Sequence, residues 1–439
     1  MSRSIPSRLQ WRIRQLTRKL WFRSSLFSLL AVGTALLGIA LKPFIPDSIS
    51  RGVGSEAVDN ILGVIASSML AVTIFSLSTM VAAYVAASSN VTPRAIRLLT
   101  DDPTAHNALG TFIGAFLFSL VGIIALSTGV YGAQGRLVLF VVTIGVVGFV
   151  VFTLLRWIDH VSRLGQVAGT TNRIEEAAIK AMCARHDNPY LGGNPLLSMD
   201  DVPAEAKAVH PEGVGYVQNV DMEALSAFAE KYPGCSMYIE SLPGTLADPS
   251  RPLVWVHPFP GGEAHEEVRR AFSIGRLRSY DQDPRFGASV LAEIASRALS
   301  TGVNDPGTAI DIIGRAVRVL AVWAEHGEPS PDEVAHPSVH VPGILLRDLF
   351  DDLFRPIARD AAGMVEVGIR LQKALRALAR IGDERFVACA QHHSRQALLR
   401  ALEVLTLEDD KQQLRVLADE IARLPASPAA RSQREAASG

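Results

Sequence analysis

Six hydroxyl side chains, Ser67, Ser68, Thr73, Ser76, Ser78 and Thr79, lie within one uncharged run of the sequence. Hydrocarbon offers a hydroxyl no partner, so each must bond its own helix, a neighbouring helix or water. At about 100° per residue, Ser67, Ser68, Ser78 and Thr79 share an arc of roughly 120°, with Thr73 and Ser76 nearly opposite. Hydroxyls on a helix can line a narrow path for a small ion, which makes these six the candidate pore-lining residues. They can equally serve helix packing, for which Ala82-x-x-x-Ala86 and Ala83-x-x-x-Ala87 supply small residues that let backbones approach.

A second group, Arg297, Asn304, Asp305, Thr308 and Asp311, sets a guanidinium beside carboxylates, a carboxamide and a hydroxyl. Such a set could converge on a ligand, an ion or a neighbouring subunit. The phrase Gly302-Val303-Asn304-Asp305-Pro306-Gly307-Thr308 also reads as a joint between two helices. Gly302 suits a left-handed C-cap, and Asp305 can N-cap a helix whose first residue is Pro306. Burial separates these two uses.

Motifs for catalysis are missing: the sequence has no Walker loop, G-x-G-x-x-G, G-x-S-x-G or H-E-x-x-H. The reading is therefore not an enzyme, with no cofactor. His336 and His340 sit amid Pro337 and Pro342, so one helix cannot present both to a metal, and the adjacent His392 and His393 point to different faces. No metal site is expected. The charge runs 347–352 and 408–411 read as solvated helix faces. Cys183, Cys235 and Cys389 are too far apart for a metal knuckle or redox pair, which leaves reduced, structural thiols.

The elements that must carry these residues follow from composition. Of 439 residues, 48% are hydrophobic and 20% charged, and mean hydropathy is +0.21. A soluble chain usually carries about 25% charged residues, so a membrane class leads. The net charge of -1 gives no argument for nucleic acid, and none is expected as a partner.

Long uncharged runs cover 24–41, 60–93, 107–135 and 137–155. Each approaches or exceeds the roughly 20 residues that a helix needs to cross hydrocarbon, so four transmembrane helices are expected. The second run is long enough to protrude or break beyond Ala83. No Asp, Glu, Lys, Arg or His falls in the middle of a run, which argues against a proton-coupled pump. Arg3, Arg8, Arg12, Arg14, Arg18, Lys19 and Arg23 precede the first run, Arg94 and Arg97 follow the second, and Arg156, Arg163 and Arg173 follow the fourth. Only Lys42, Arg51 and Arg136 oppose them, so the positive-inside rule puts both termini in the cytoplasm.

The expected order is a basic N-terminal segment (1–23), a four-helix transmembrane domain (24–155), a helical stalk (156–186), a small β-rich subdomain (187–260), a helical cytoplasmic subdomain (261–424) and a disordered tail (425–439). The fold class is thus membrane α-helical, followed by a cytoplasmic α+β region. Strands are predicted at 207–210, 215–220, 236–240 and 253–257, with a helix inserted at 222–232. Helices are predicted at 263–275, 285–300, 306–326, 343–361, 363–380, 383–406 and 408–424, with 327–342 as a break.

Particular phrases go beyond amphipathic patterning: Gln282-Asp283-Pro284-Arg285-Phe286-Gly287, and the stretch from Glu293 through Asn304-Asp305-Pro306 to Ala309. With Phe75-Ser76-Leu77-Ser78, Pro93-Arg94 and Asp102, Gly215-Tyr216-Val217-Gln218 with Asp221, and Pro243-Gly244, the chain resembles a family of predicted bacterial inner-membrane proteins known as a domain of unknown function. In that family several N-terminal spans precede a cytoplasmic C-terminal region. Its usual Ser-Pro-Gly-Ile-Asn-Asp-Pro reads Ser-Thr-Gly-Val-Asn-Asp-Pro here, with Thr301 in place of proline. The resemblance implies a multi-pass protein of the bacterial inner membrane and supplies no reaction.

Together these readings lead to an oligomeric pore or ion channel with a cytoplasmic regulatory domain. Its partners would be the lipid bilayer, further copies of the chain and a small ion or ligand. The alternative is a membrane-tethered ligand-binding sensor or scaffold without transport.

Overall fold

The computed structural model describes residues 55–95, 98, 102–127, 133–163, 167–326 and 334–425, together with four isolated positions between 25 and 33. It forms two compact units that meet in sequence between Thr170 and Thr171.

The first unit contains α1 (Ser55–Asn90), a 3-10 turn at Pro93–Ala95, α2 (Pro103–Ser127) and α3 (Ala133–Arg163). Among the described residues three stretches are long and apolar enough to cross a membrane: Val58–Ala86, Pro103–Ser127 and Arg136–Ser162, of 29, 25 and 27 residues. Four were expected. Of the run 24–41 only Ser25, Leu29, Val32 and Gly33 are described, and the basic segment and nearly all of the tail lie outside the described residues. α1 runs unbroken past Ala83 to Asn90, where an interruption was considered.

Half of the apolar window of α2 is buried, against 22% for α1 and 17% for α3, so α2 is the central helix of the three. Its buried face includes Ala108, Gly110, Gly114 and Ala115, small residues that allow close helix approach. Phe118 and Leu139 pack with Leu62, and Phe112 and Trp157 with Met69 and Met80. A Cβ at Gly145 or Gly148 of α3 would meet open space. Asp102 opens α2 by accepting from Thr104 N at 2.8 Å, and His160 Nε2 of α3 lies 2.7 Å from its other oxygen.

The second unit opens with α4 (Val167–Asp187), whose Ile174, Ala178 and Met182 are buried. Strands follow: β1 (Gly193–Leu196), β2 (Lys207–Val209), β3 (Gly215–Val220), then α5 (Met222–Lys231), β4 (Ser236–Ile239), β5 (Leu246–Ala247), β6 (Val254–His257), α6 (Ala264–Arg269) and β7 (Phe272–Gly275). After α7 (Pro284–Ala298) and α8 (Pro306–His326) comes β8 (His336–Pro342), then α9 (Leu346–Asp360), α10 (Val365–Ile381), α11 (Glu384–Val404) and α12 (Glu408–Ala422).

One sheet has the order β1-β8-β4-β6-β2, with β8 parallel to both neighbours, and the other the order β5-β3-β7. Alternating Met237, Ile239, Val254, Val256, Val339 and Val341 bury one face of the five-stranded sheet, over which α5 lays Met222, Leu225 and Phe228, and Val217 of β3 joins the same core. Two expectations need correction. The helix predicted over 263–275 ends at Arg269, because Phe272–Gly275 pairs with β3 instead. The predicted break at 327–342 contains β8, whose Pro337 sits where the register shifts between Gly193↔His336 and Asn194↔His340.

The remaining helices form an amphipathic bundle. α9 buries Leu346, Leu349, Phe350, Leu353, Phe354 and Ile357 at the three- and four-residue spacing of one helical face.

Candidate functional site

Five of the six hydroxyls on α1 are satisfied by their own helix. Ser67 Oγ donates to Gly63 O at 3.0 Å, Ser68 to Val64 O at 2.6 Å, Thr73 to Met69 O at 2.6 Å, Ser78 to Ile74 O at 3.0 Å and Thr79 to Phe75 O at 2.9 Å. Back-bonding of this kind removes the need for a water partner in lipid. Ser67 and Ser78 are exposed on the described bundle, and Ser68, Thr73 and Thr79 half-buried. Ser76 is fully buried, and its Oγ meets no hydrogen-bond partner among the described residues.

The second candidate group does not gather at one point. Asp305 caps α8, accepting from Thr308 N at 3.0 Å and from Thr308 Oγ1 at 2.6 Å, and these bonds hold its carboxyl below the usual range. The left-handed residue of the joint is Asn304, at φ +50°, rather than Gly302. Residues 300–305 are exposed, and Arg297 lies half-buried in the last turn of α7.

Asp311 belongs to a different network. It accepts from Arg315 Nε at 2.7 Å, and Arg315 Nη1 donates to Glu175 Oε2 of α4 at 2.6 Å and to Asn172 at 2.5 Å. Arg318 Nε reaches the other Glu175 oxygen at 2.5 Å. Burial pushes the Glu175 carboxyl up, but the bonds and charges of Arg318 and Arg315 outweigh it and hold the group below its ordinary value.

Three of the resemblance-bearing phrases of the second unit, at 215–221, 243–244 and 282–287, come together around Asp283, which is 2% exposed. This carboxylate caps α7 through Phe286 N at 3.1 Å and takes a two-pronged bond from Arg278 at 2.7 and 3.0 Å. Arg185 donates to the Gln282 carbonyl at 3.1 Å; burial pushes its guanidinium down to about 10, opposed by the charge of Asp283. Gln282 Oε1 accepts from Val220 N at 3.0 Å, tying the turn before α7 to β3, and Gln218 Nε2 donates to Leu277 O at 2.6 Å. Gly244, at φ +95°, lies so close to Asp283 that a Cβ would overlap the carboxylate. Arg285 reaches α9, with bonds of 2.7 and 3.1 Å to Asp352 and 2.6 Å to Asp348. These motifs act as a joint between sheet and bundle.

A cleft of about 300 Å³ opens between α9 and α11. On α9, Arg347, Asp351 and Arg355 recur every four residues; on α11, His392, Gln396 and Arg400 do the same, which stacks each set along one helical face. Arg355 Nη2 lies 2.9 Å from Asp351 Oδ1, and Arg347 Nε 4.0 Å from Asp351 Oδ2. His393 also lines the cleft, 5% exposed, with its ring 5.7 Å from Phe350 and 6.4 Å from Phe354. Among the described residues its Nε2 finds no hydrogen bond, and it stands 3.5 Å from Asp351 Oδ1. Burial pushes the imidazole down to about 4, so it is neutral near pH 7.

Sequence reasoning passed over this site. The run 347–352 reads as a solvated face and the histidine pair as divided between faces, yet exposed His392 and buried His393 line the same cleft. The usable signal was the repeated four-residue spacing of cationic and polar residues on both helices.

Residues 17–377 match a family described as "Predicted membrane protein (DUF2254)". The uncharacterized protein MT1328 of Mycobacterium tuberculosis (strain CDC 1551 / Oshkosh) is 23% identical over 278 residues, covering 61% of this chain and 53% of that protein. The uncharacterized protein Mb1321c of Mycobacterium bovis (strain ATCC BAA-935 / AF2122/97) is 24% identical over 280 residues, with the same coverage. The chain thus spans about half the length of the curated relatives it matches. No solved structure matches it significantly. With the family match extending from the apolar helices into α10, the chain belongs to the DUF2254 family of predicted membrane proteins.

Proposed function

We propose that this protein is a membrane-anchored sensor: its apolar helices hold it in a bacterial inner membrane, and its second unit, on the cytoplasmic side, binds a small ligand between α9 and α11. Binding rather than catalysis is its task. The observation that carries the reading is His393, an imidazole 5% exposed, whose Nε2 has no hydrogen bond among the described residues at the wall of a cleft. Buried polar groups are nearly always satisfied, so an orphan beside an open volume supports a ligand there. The test is a thermal-shift screen of the full chain in detergent against a metabolite panel, repeated on Gln396→Trp, which fills the cleft mouth. A saturable rise in Tm lost in Gln396→Trp is expected; no shift, or one that survives the substitution, overturns the reading.

A second reading, an oligomeric pore, draws on Ser67 and Ser78, exposed hydroxyls on one arc of α1 with no described helix over them. Copies of the chain would assemble with α1 around the path. Thr79→Phe should then abolish ion flux in reconstituted vesicles while preserving assembly, and unchanged flux removes α1 from the pore wall.

A further inference from the structure

We propose that the α9–α11 cleft is a site for a phosphate-class dianion; this inference rests on the sensor reading and names its ligand chemistry. Three guanidiniums, Arg347, Arg355 and Arg400, line a volume that holds a single carboxylate, Asp351. Asp351 engages Arg355 at 2.9 Å and reaches Arg347 only at 4.0 Å. Arg400 has no ion pair within 4 Å among the described residues, and only a longer-range attraction to Asp360. The wall therefore carries an excess of two positive charges, a match for a doubly charged ligand rather than for a monocarboxylate.

The shape of the donors points the same way. Guanidinium forks bind pairs of oxygens on one tetrahedral centre, and three forks on opposite walls suit a group presenting three or more equivalent oxygens. Neutral His393 adds a ring nitrogen that can donate without adding charge, and the Gln396 amide adds another donor at the mouth. A volume of about 300 Å³ accommodates a diphosphate or a small phosphate monoester with its first waters. The phosphoryl group could belong to a soluble metabolite or to a lipid headgroup, and the chemistry of recognition is shared.

The test uses full-length protein in phosphatidylcholine nanodiscs, with inorganic pyrophosphate, inorganic phosphate and short-chain dihexanoyl phosphatidate as probes. Saturable binding of at least one probe is expected. Arg400→Gln should weaken it at least tenfold and lessen its salt dependence, Arg400→Lys should restore part of the loss, and Arg415→Gln, on α12, should leave it unchanged. Pyrophosphate alone assigns a soluble ligand and phosphatidate alone a headgroup; either supports the proposal. Absence of binding for all three probes, or binding indifferent to both Arg347→Gln and Arg400→Gln, overturns it. If these probes fail while a metabolite shift is still lost in Gln396→Trp, the sensor reading stands and the phosphate assignment falls. If both experiments fail, both are lost.

Discussion

Ser394 Oγ donates to Gln372 Oε1 at 2.6 Å, and Gln372 Nε2 donates to the Ser394 carbonyl at 3.1 Å, a reciprocal bond between α11 and α10 with both residues at most 2% exposed. Since Ser394 follows His393, the pair fixes the rotation of α11 that turns the imidazole toward Asp351. Ser394→Ala leaves the Gln372 oxygen buried and unpaired, a loss of about 1–3 kcal/mol. Chemical denaturation should record that loss, and pyrophosphate affinity should fall with it. Full stability in Ser394→Ala would show that the pair does not hold the helices.

His393 predicts an acid-sensitive bundle. Its folded pKa of about 4 lies below the ordinary 6.5, so the unfolded chain takes up a proton that the folded chain refuses. Stability is complete above about pH 6.5 and declines as pH falls toward 4, by up to about 3 kcal/mol from this group. The facing charges are Asp351, which opposes the shift, and Arg347, Arg355 and His392, which reinforce it. His393→Phe should flatten the profile between pH 4 and 6.5 relative to the parent. An equal slope in both proteins would remove His393 as the source.

Much of the bundle was legible because its signals are local. Asp283 before Pro284, Asp305 before Pro306 and Asp383 before Glu384 mark helix starts, and the structure shows each carboxylate accepting backbone N–H bonds there. β7 and β8 were not legible because their identity comes from partners distant in sequence: β7 needs β3, and β8 needs β1 and β4, while Pro337 and Pro342 read as breakers. The α9–α11 cleft was hidden for the same reason. Each four-residue track looks like a solvated face until tertiary packing sets the other opposite it.

Gly244 carries a sharper prediction than the other residues of the Asp283 joint. Its φ of +95° disfavours any side chain, and a Cβ would overlap the Asp283 carboxylate that caps α7 and holds Arg278. Gly244→Ala should cost about 1–3 kcal/mol from backbone strain alone, with the displaced carboxylate adding to it. Gly213→Ala is the control, because its Cβ meets nothing within 4 Å and its φ is not positive. Equal thermal stability of the two variants would show that the turn has room to give.

The Glu175 network separates a structural charge from a binding one. Side chains of Glu175 and Arg315 are 10% and 8% exposed, so Glu175→Gln leaves Arg315 only the exposed Asp311 as a counter-charge, and a loss of about 3 kcal/mol follows. Asp311 touches the same arginine from a side chain 53% exposed, where water replaces it, and Asp311→Asn should change stability by less than about 1 kcal/mol. Because the folded pKa of Glu175 is depressed, its contribution is present above the ordinary carboxylate range and disappears as acid protonates it. Urea denaturation of both variants at pH 7 and again near pH 4 tests this: the gap between Glu175→Gln and parent should narrow in acid, while Asp311→Asn should stay near the parent throughout. A large loss in Asp311→Asn at pH 7 would instead give that exposed carboxylate a structural weight its surroundings do not account for.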